Sequence, residues 1–341
     1  MRAAIYGAGS LGTILGAYIA RSGAEIELIN RNAAHVEALS SKGATVTGTV
    51  QFTQAVTAYT PDHMSGSYDI IFLMTKQLDN AKVVTMLKGF LAEDGVIVTL
   101  QNGIPELGIG EIVGDGRTLG CTVAWGATMV GPGVCELTSE PDSLTFSLGS
   151  LVDIQSLPET AGARRHYAEV KALLERMGTV TEDANFIGSR WSKLLINAAF
   201  SGMSAVCGST FGEAAADKAS RKIVQGLIKE CIDVCAKGGI RIEPVQGKDI
   251  VKLLDYRSGL KKAISFFIIP IAIRKHKLLK ASMLQDLEKG KLCEVDAING
   301  VVSAFGRKVG CPTPLNDKVC EIIHAIERGE LKCGFENVAR F

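Results

Sequence analysis

The segment "AIYGAGSLGTILGAYIARSGAEIELINRN", residues 4–32, constrains the fold of this chain more than any other. An apolar run enters a turn carrying Gly7, Gly9 and Gly12, an amphipathic stretch follows, and a second apolar run ends on Asn30 and Arg31. G-x-G-x-x-G between a strand and a helix has a physical reading at each glycine. Gly7 permits the tight turn, Gly9 has no side chain to hold the backbone away from a pyrophosphate, and Gly12 lets helix and strand pack closely. Phosphates then sit on the N–H groups that the first helical turn leaves unpaired. The predicted ligand is a dinucleotide, and a glycine-rich turn without a ligand is the reading it competes with.

The end of the second strand predicts which dinucleotide. NAD-preferring folds carry Asp or Glu there for the ribose 2′-OH, whereas an Arg pairs with the 2′-phosphate of NADP. Arg31 stands at that end, and Glu25 and Glu27 lie earlier, too deep for the ribose. NADP is therefore expected, against the alternative of a solvated surface charge. Lys76 in "MTKQ" follows a later strand and falls on the same edge of the sheet, where it can reach phosphate or ribose.

The rhythm of the first half extends this motif into an α/β fold. Short β-rich runs alternate with amphipathic stretches, as in "YDIIFLMTK", "NAKVVTMLKGFL" and "GVIVTLQNG". That alternation predicts a Rossmann-like doubly wound parallel sheet. From Ile187 the β-runs cease and long helical patterns take over, so residues 1–184 read as an NADP-binding domain and 185–341 as an all-helical substrate and catalytic domain. A length of 341 residues with 47% apolar content is enough for two cores.

Several function classes are disfavoured on composition. Net charge is +1, from 37 basic and 36 acidic residues, which leaves no footprint for nucleic acid. The nine cysteines include no CxxC pair, so neither a disulfide framework nor a metal site is expected. Cys231 and Cys235 share a helix face and read as core. The longest apolar stretch, "SFFIIPIAI", is far shorter than the ~20 residues that span a bilayer, and the chain opens on strand-like sequence. The expected location is cytoplasmic, with no membrane partner.

Candidate chemistry lies in the second half. In "RWSKLLINAAFSGMSAV", Lys193, Asn197 and Ser201 are spaced i, i+4, i+8 and share one helix face amid Leu194, Leu195, Ile196 and Phe200. Asn and Ser are poor helix-interior choices unless they bond something. Farther on, Ser282 and Glu294 flank a predicted helix break at Gly290, and Glu294 stands among apolar neighbours. None of the five histidines lies in a comparable constellation.

Together "GAGSLG", "NR", "LQNG", "WSKLLIN" and "SMLQDLEKGKLCEVDAINGV" resemble the ketopantoate reductase (2-dehydropantoate 2-reductase) family, in order and over most of the chain. The resemblance implies a Rossmann domain, a helical C-terminal domain, an NADPH site in the cleft between them, and reduction of a small-molecule 2-oxo acid such as 2-dehydropantoate to its 2-hydroxy acid. A homodimer is compatible with this plan. By position, the resemblance makes Lys193 the general acid and Glu294 its partner across the substrate. It sets Asn102 near the nicotinamide and carbonyl, gives Asn197 a part in holding substrate, and gives Ser282 a part in binding the carboxylate.

Two departures bear on the substrate. Typical members carry asparagine where this chain has Ser201, contacting a distal hydroxyl, and again where it has Leu279. Losing such amides relaxes or redirects specificity, and relatives of this architecture also act on branched or aromatic 2-oxo acids. Two rival readings are an opine-type dehydrogenase, which usually needs a His-Asp pair, and a non-catalytic NADPH-binding protein, which would tolerate loss of Lys193.

Overall fold

A computed structural model describes residues 1–245 and 247–341. Contacts divide the chain into two compact units, Met1–Gln101 with Pro105–Phe186, and Asn102–Ile104 with Ile187–Phe341. Residues 102–104, which the order of elements assigns to the first half, thus pack with the second.

The first unit is built on twelve strands: β1 (Ala3–Tyr6), β2 (Glu27–Ile29), β3 (Ala44–Gly48), β4 (Phe52–Gln54), β5 (Thr57–Tyr59), β6 (Tyr68–Leu73), β7 (Leu91–Thr99), β8 (Thr118–Val123), β9 (Ala127–Gly131), β10 (Val134–Leu137), β11 (Thr145–Gly149) and β12 (Thr179–Glu182). Eight form the main sheet in the order β12-β11-β8-β7-β6-β1-β2-β5. All its neighbours run parallel except β8 and β11. Strands covered on both faces read as continuous apolar runs, and β1 is buried at all four positions. Alternate residues of β1 and β6 feed different cores: Ile5 and Phe72 join one cluster, Tyr6 and Leu73 the other, as a pleat with helices on both faces requires.

The parallel-sheet reading needs one addition. A second sheet, β4-β3-β10-β9, stands beside the main one. Its members β3 and β4 were not read from the sequence because five- and three-residue strands are too short to establish a period, although Thr and Val favour strands. The β-rich stretch 118–137 divides between the two sheets.

The second unit is helical, with one isolated bridge between Val245 and Lys248. The helix Lys218–Lys237 buries Val224, Leu227, Ile228, Cys231 and Cys235, and Asp217 caps it by accepting from Ser220 N–H. Burial pushes the Cys231 thiol far above its usual range, consistent with a core role for that pair. The segment read as one long helix has three parts: Phe186–Ile196, a π-helical turn Asn197–Ser201, and Gly202–Cys207. Among the described residues no helix is long and apolar enough to cross a membrane.

Candidate active site

In the first unit the glycine turn has the shape its sequence requires. Gly7 takes φ +100°, and its N–H and that of Ala8 both donate to the Ile29 carbonyl at the end of β2, at 2.9 and 3.0 Å. A Cβ on Gly7 would lie 2.5 Å from Thr75 N, and one on Gly12 would lie 2.7 Å from the Gly7 carbonyl oxygen. Neither position tolerates a side chain. A Cβ on Gly9, by contrast, meets nothing closer than 3.9 Å. Packing thus forbids side chains at Gly7 and Gly12 but not at Gly9, whose open side is what close approach of a pyrophosphate needs; the residues present fit a dinucleotide.

Three donors converge on the Ala8 carbonyl within this turn: Asn30 Nδ2 at 2.7 Å, His35 Nε2 at 3.0 Å and Thr13 Oγ1 at 3.1 Å. His35 is fully buried, and its Nδ1 accepts from Gly133 N–H at 3.0 Å, which assigns the ring proton to Nε2. Burial also holds the imidazole below its ordinary value and so neutral. No sequence signal identified His35, since a single histidine in a short amphipathic helix carries no pattern.

Arg31 is exposed and held between two fixed neighbours. Asn30 Oδ1 accepts from Asn32 N–H at 2.8 Å, and Asn32 caps the helix Ala33–Lys42. Lys76 is exposed just after β6. The strand order β6-β1-β2 puts the glycine turn between Lys76 and Arg31 along the carboxyl edge of the sheet, where such folds bind ligands. Glu27 is engaged elsewhere, accepting from Arg2 Nε at 2.8 Å and Tyr68 Oη at 2.6 Å.

In the second unit a pocket of about 200 Å³ is lined by Asn102, Lys193, Asn197, Ser201, Ser282 and Glu294. All six polar residues singled out in the sequence for chemistry or substrate share it. Phe211, Leu279, Ala281, Met283 and Ile298 complete the wall. Of these the sequence indicated only Leu279. Met283 and Ile298 lie beside or one turn beyond marked residues, and Phe211 gave no signal.

The π turn explains how the polar row shares one face. In an α-helix four residues overshoot a full turn by about 40°, so Lys193 and Ser201 would stand about 80° apart. A π turn takes about 4.4 residues, so its four steps undershoot by about 33° and bring Ser201 back over Lys193. Lys193, Asn197 and Glu294 are half-buried, and Ser201 is 9% exposed.

The opposite wall is tied to the same helices. Phe211 N–H donates to the Leu279 carbonyl at 3.0 Å, and Ala281 N–H donates to Ser204 Oγ at 3.3 Å. These bonds hold the strand-free segment 277–281 against the pocket. Ser282 opens the helix Ser282–Glu288, and Glu294 immediately precedes the helix Val295–Val309. Gly103, at φ +76°, supplies the left-handed turn directly after Asn102. An ammonium, a carboxylate, two amides and two hydroxyls on a partly apolar wall suit a small polar molecule with an anionic end.

Known proteins match this architecture. The model for "Ketopantoate reductase PanE/ApbA" matches residues 3–150, and that for its C-terminal domain matches residues 185–327. A 2-dehydropantoate 2-reductase of Streptococcus pyogenes serotype M6 is 26% identical over 326 residues, covering 95% of this chain and 97% of its own. One from Pyrococcus horikoshii is 26% identical over 329 residues, covering 96% and 98%. Among solved structures, a PanE/ApbA family ketopantoate reductase from Ralstonia eutropha has a TM-score of 0.79 at 22% identity, covering 97% of this chain and 99% of its own. A D-mandelate dehydrogenase with NADH and anilino(oxo)acetate also has a TM-score of 0.79, at 24% identity, covering 96% and 99%. With both family models matched and full-length relatives aligned throughout, the chain belongs to the ketopantoate reductase family and is an NADP-dependent oxidoreductase.

Proposed function

We propose that the protein reduces a 2-oxo acid to the 2-hydroxy acid with NADPH, that residues 1–184 serve the cofactor, and that residues 185–341 bind substrate and supply the proton. The observation that carries this reading is the gathering of Lys193, Glu294, Ser282, Asn197 and Asn102 around one pocket.

When bound, the nicotinamide supplies the hydride for the carbonyl carbon. The residues of the pocket do the rest. Negative charge develops on the carbonyl oxygen as the carbon is reduced, and an ammonium within hydrogen-bond reach stabilises it and then protonates it. Lys193 takes this role, with one proton passing from Nζ to the new alkoxide and the amine recovering its proton from solvent. Glu294 orients the lysine from across the substrate. Ser282 donates to the substrate carboxylate, while Asn102 and Asn197 position the carbonyl end. Arg31 and Lys76 bind the 2′-phosphate and adjacent ribose.

The first substrate reading is 2-dehydropantoate, reduced to pantoate. A second reading, a plain branched or aromatic 2-oxo acid, is favoured by one observation: Ser201 and Leu279, the two positions that depart from the family pattern, both line the pocket. NADPH oxidation with a panel of 2-oxo acids, with and without added amines, tests the proposal. Turnover of a 2-oxo acid without an amine supports it. Strict dependence on an added amino acid points to an opine-type reaction, and no turnover with any 2-oxo acid points to a non-catalytic NADPH-binding protein.

A further inference from the structure

Behind the polar row lies a buried chain of amides that the chemistry above does not use. Asn299, fully buried, donates from Nδ2 to the Ala198 carbonyl at 3.0 Å and to Asn316 Oδ1 at 2.9 Å. The Ala198 carbonyl can only accept, which fixes that end of the Asn299 side chain as the nitrogen. Asn316, also fully buried, donates from its own Nδ2 to Glu230 Oε2 at 2.7 Å. Glu230 additionally accepts the backbone N–H groups of Leu315 at 2.8 Å and Asn316 at 3.0 Å.

The place where this chain ends is informative. Ala198 lies inside the π turn, and Gly202 N–H passes over it, shared between the carbonyl of Ala199 and that of Asn197 five residues back. In an uninterrupted α-helix Gly202 would bond Ala198 instead. The Asn299 amide therefore occupies the carbonyl whose α-helical partner has been diverted. Asn299 Oδ1 is itself buried with no hydrogen-bond partner. Removing the amide would leave the Ala198 carbonyl and Asn316 Oδ1 buried without that donor, so the value of Asn299 lies in what its nitrogen holds.

We propose that Asn299, backed by Asn316 and Glu230, is a positioning residue that keeps the Asn197–Ser201 turn in its π form and so aims Asn197 and Ser201 into the pocket alongside Lys193. The claim rests on the 2-oxo acid reading of that pocket. Without the amide, Gly202 recovers Ala198 as its acceptor, the turn reverts to α-helix, and Ser201 rotates away from the row. Lys193 lies before the turn and keeps its place. The loss falls first on substrate binding.

The test compares the full-length unmutated protein with Asn299→Leu and Asn316→Ala by crystal structure, by steady-state kinetics with the best 2-oxo acid, and by NADPH titration. Asn299→Leu is expected to lose the π turn and to raise KM for the 2-oxo acid at least tenfold, with kcat changed less and NADPH affinity within twofold. Asn316→Ala, which leaves Ala198 untouched, is expected to raise KM about threefold and keeps the test open if Asn299→Leu does not fold. A π turn that persists in Asn299→Leu, or one that is lost there with KM unchanged, overturns the proposal; if Asn299→Leu does not fold, an unchanged KM in Asn316→Ala overturns it. The underlying reading fails separately, when the unmutated protein turns over no 2-oxo acid, and the variant crystal structures still decide whether Asn299 holds the turn.

Discussion

His35 Nε2 lies 3.0 Å from the carbonyl oxygen of Ala8, so a buried histidine in one helix holds the glycine turn that opens another. The ring's other nitrogen accepts from Gly133 N–H, between β9 and β10 of the second sheet. One neutral imidazole thus ties the proposed pyrophosphate turn to a hairpin 98 residues away in sequence. Protonating Nδ1 would set two N–H groups facing each other.

This sets a pH dependence of stability. His35 has its folded-state value lowered by burial, so the unfolded chain binds the proton more readily. The contribution is fully present above the ordinary imidazole value of about 6.5 and is lost as pH falls below it toward the lower folded value. Chemical denaturation between pH 8 and pH 5 is expected to show stability falling below about pH 6.5. His35→Gln is expected to flatten that slope while costing about 1–3 kcal/mol at pH 8 from lost buried hydrogen bonds. An unchanged slope in the variant removes His35 from the account.

Gly9 and Gly12 should separate ligand from fold. Since a Cβ at Gly9 meets the Gly7 carbonyl oxygen only at an ordinary 3.9 Å and one at Gly12 meets it at 2.7 Å, Gly9→Ala is expected to keep its Tm but bind NADPH at least tenfold more weakly. Gly12→Ala is expected to lower Tm by several degrees. Isothermal titration and thermal melting of both variants check this, and undiminished NADPH binding by Gly9→Ala would contradict the pyrophosphate role.

Arg31 is expected to set cofactor choice. NADPH should bind far more tightly than NADH, and Arg31→Ala should narrow the gap by about 10- to 100-fold, the range of a charge-assisted contact to phosphate. Equal affinity of the unmutated protein for both cofactors excludes this role.

Much of this was legible in the sequence, for reasons that differ by site. The shape of the glycine turn and the place of Arg31 just after β2 were readable because covalent geometry and the end of a strand are written in short, local patterns. The row from Lys193 to Ser201 was readable as a spacing, but not the π turn that makes the spacing work, because diverting one backbone hydrogen bond leaves no mark on composition. Its support, Asn299, lies 101 residues from Ala198 and emerges only through packing. Strands β3, β4 and β5 were missed because a three- to five-residue strand cannot establish a period. His35 and Phe211 were missed because their partners are distant along the chain.

Ser201 and Leu279 govern the substrate prediction. With no distal amide left unpaired by a plain branched chain, 2-oxoisovalerate is expected to approach or exceed 2-dehydropantoate in kcat/KM, each buried methyl contributing only about 0.8 kcal/mol. Restoring asparagine at both positions is expected to swing preference toward 2-dehydropantoate. A preference of orders of magnitude for 2-dehydropantoate in the unmutated protein would show that Ser201, or a water it holds, still binds the hydroxyl.

On the proposed mechanism, Lys193 delivers the proton to a reduced 2-oxo acid in this pocket. The most direct measurement is kcat for Lys193→Ala beside the unmutated protein, at saturating NADPH and 2-oxo acid, with NADPH affinity measured in parallel. A fall in kcat of about 10²-fold or more with NADPH affinity within twofold is predicted, because the missing interaction forms mainly in the transition state. Turnover undiminished in Lys193→Ala would contradict the account.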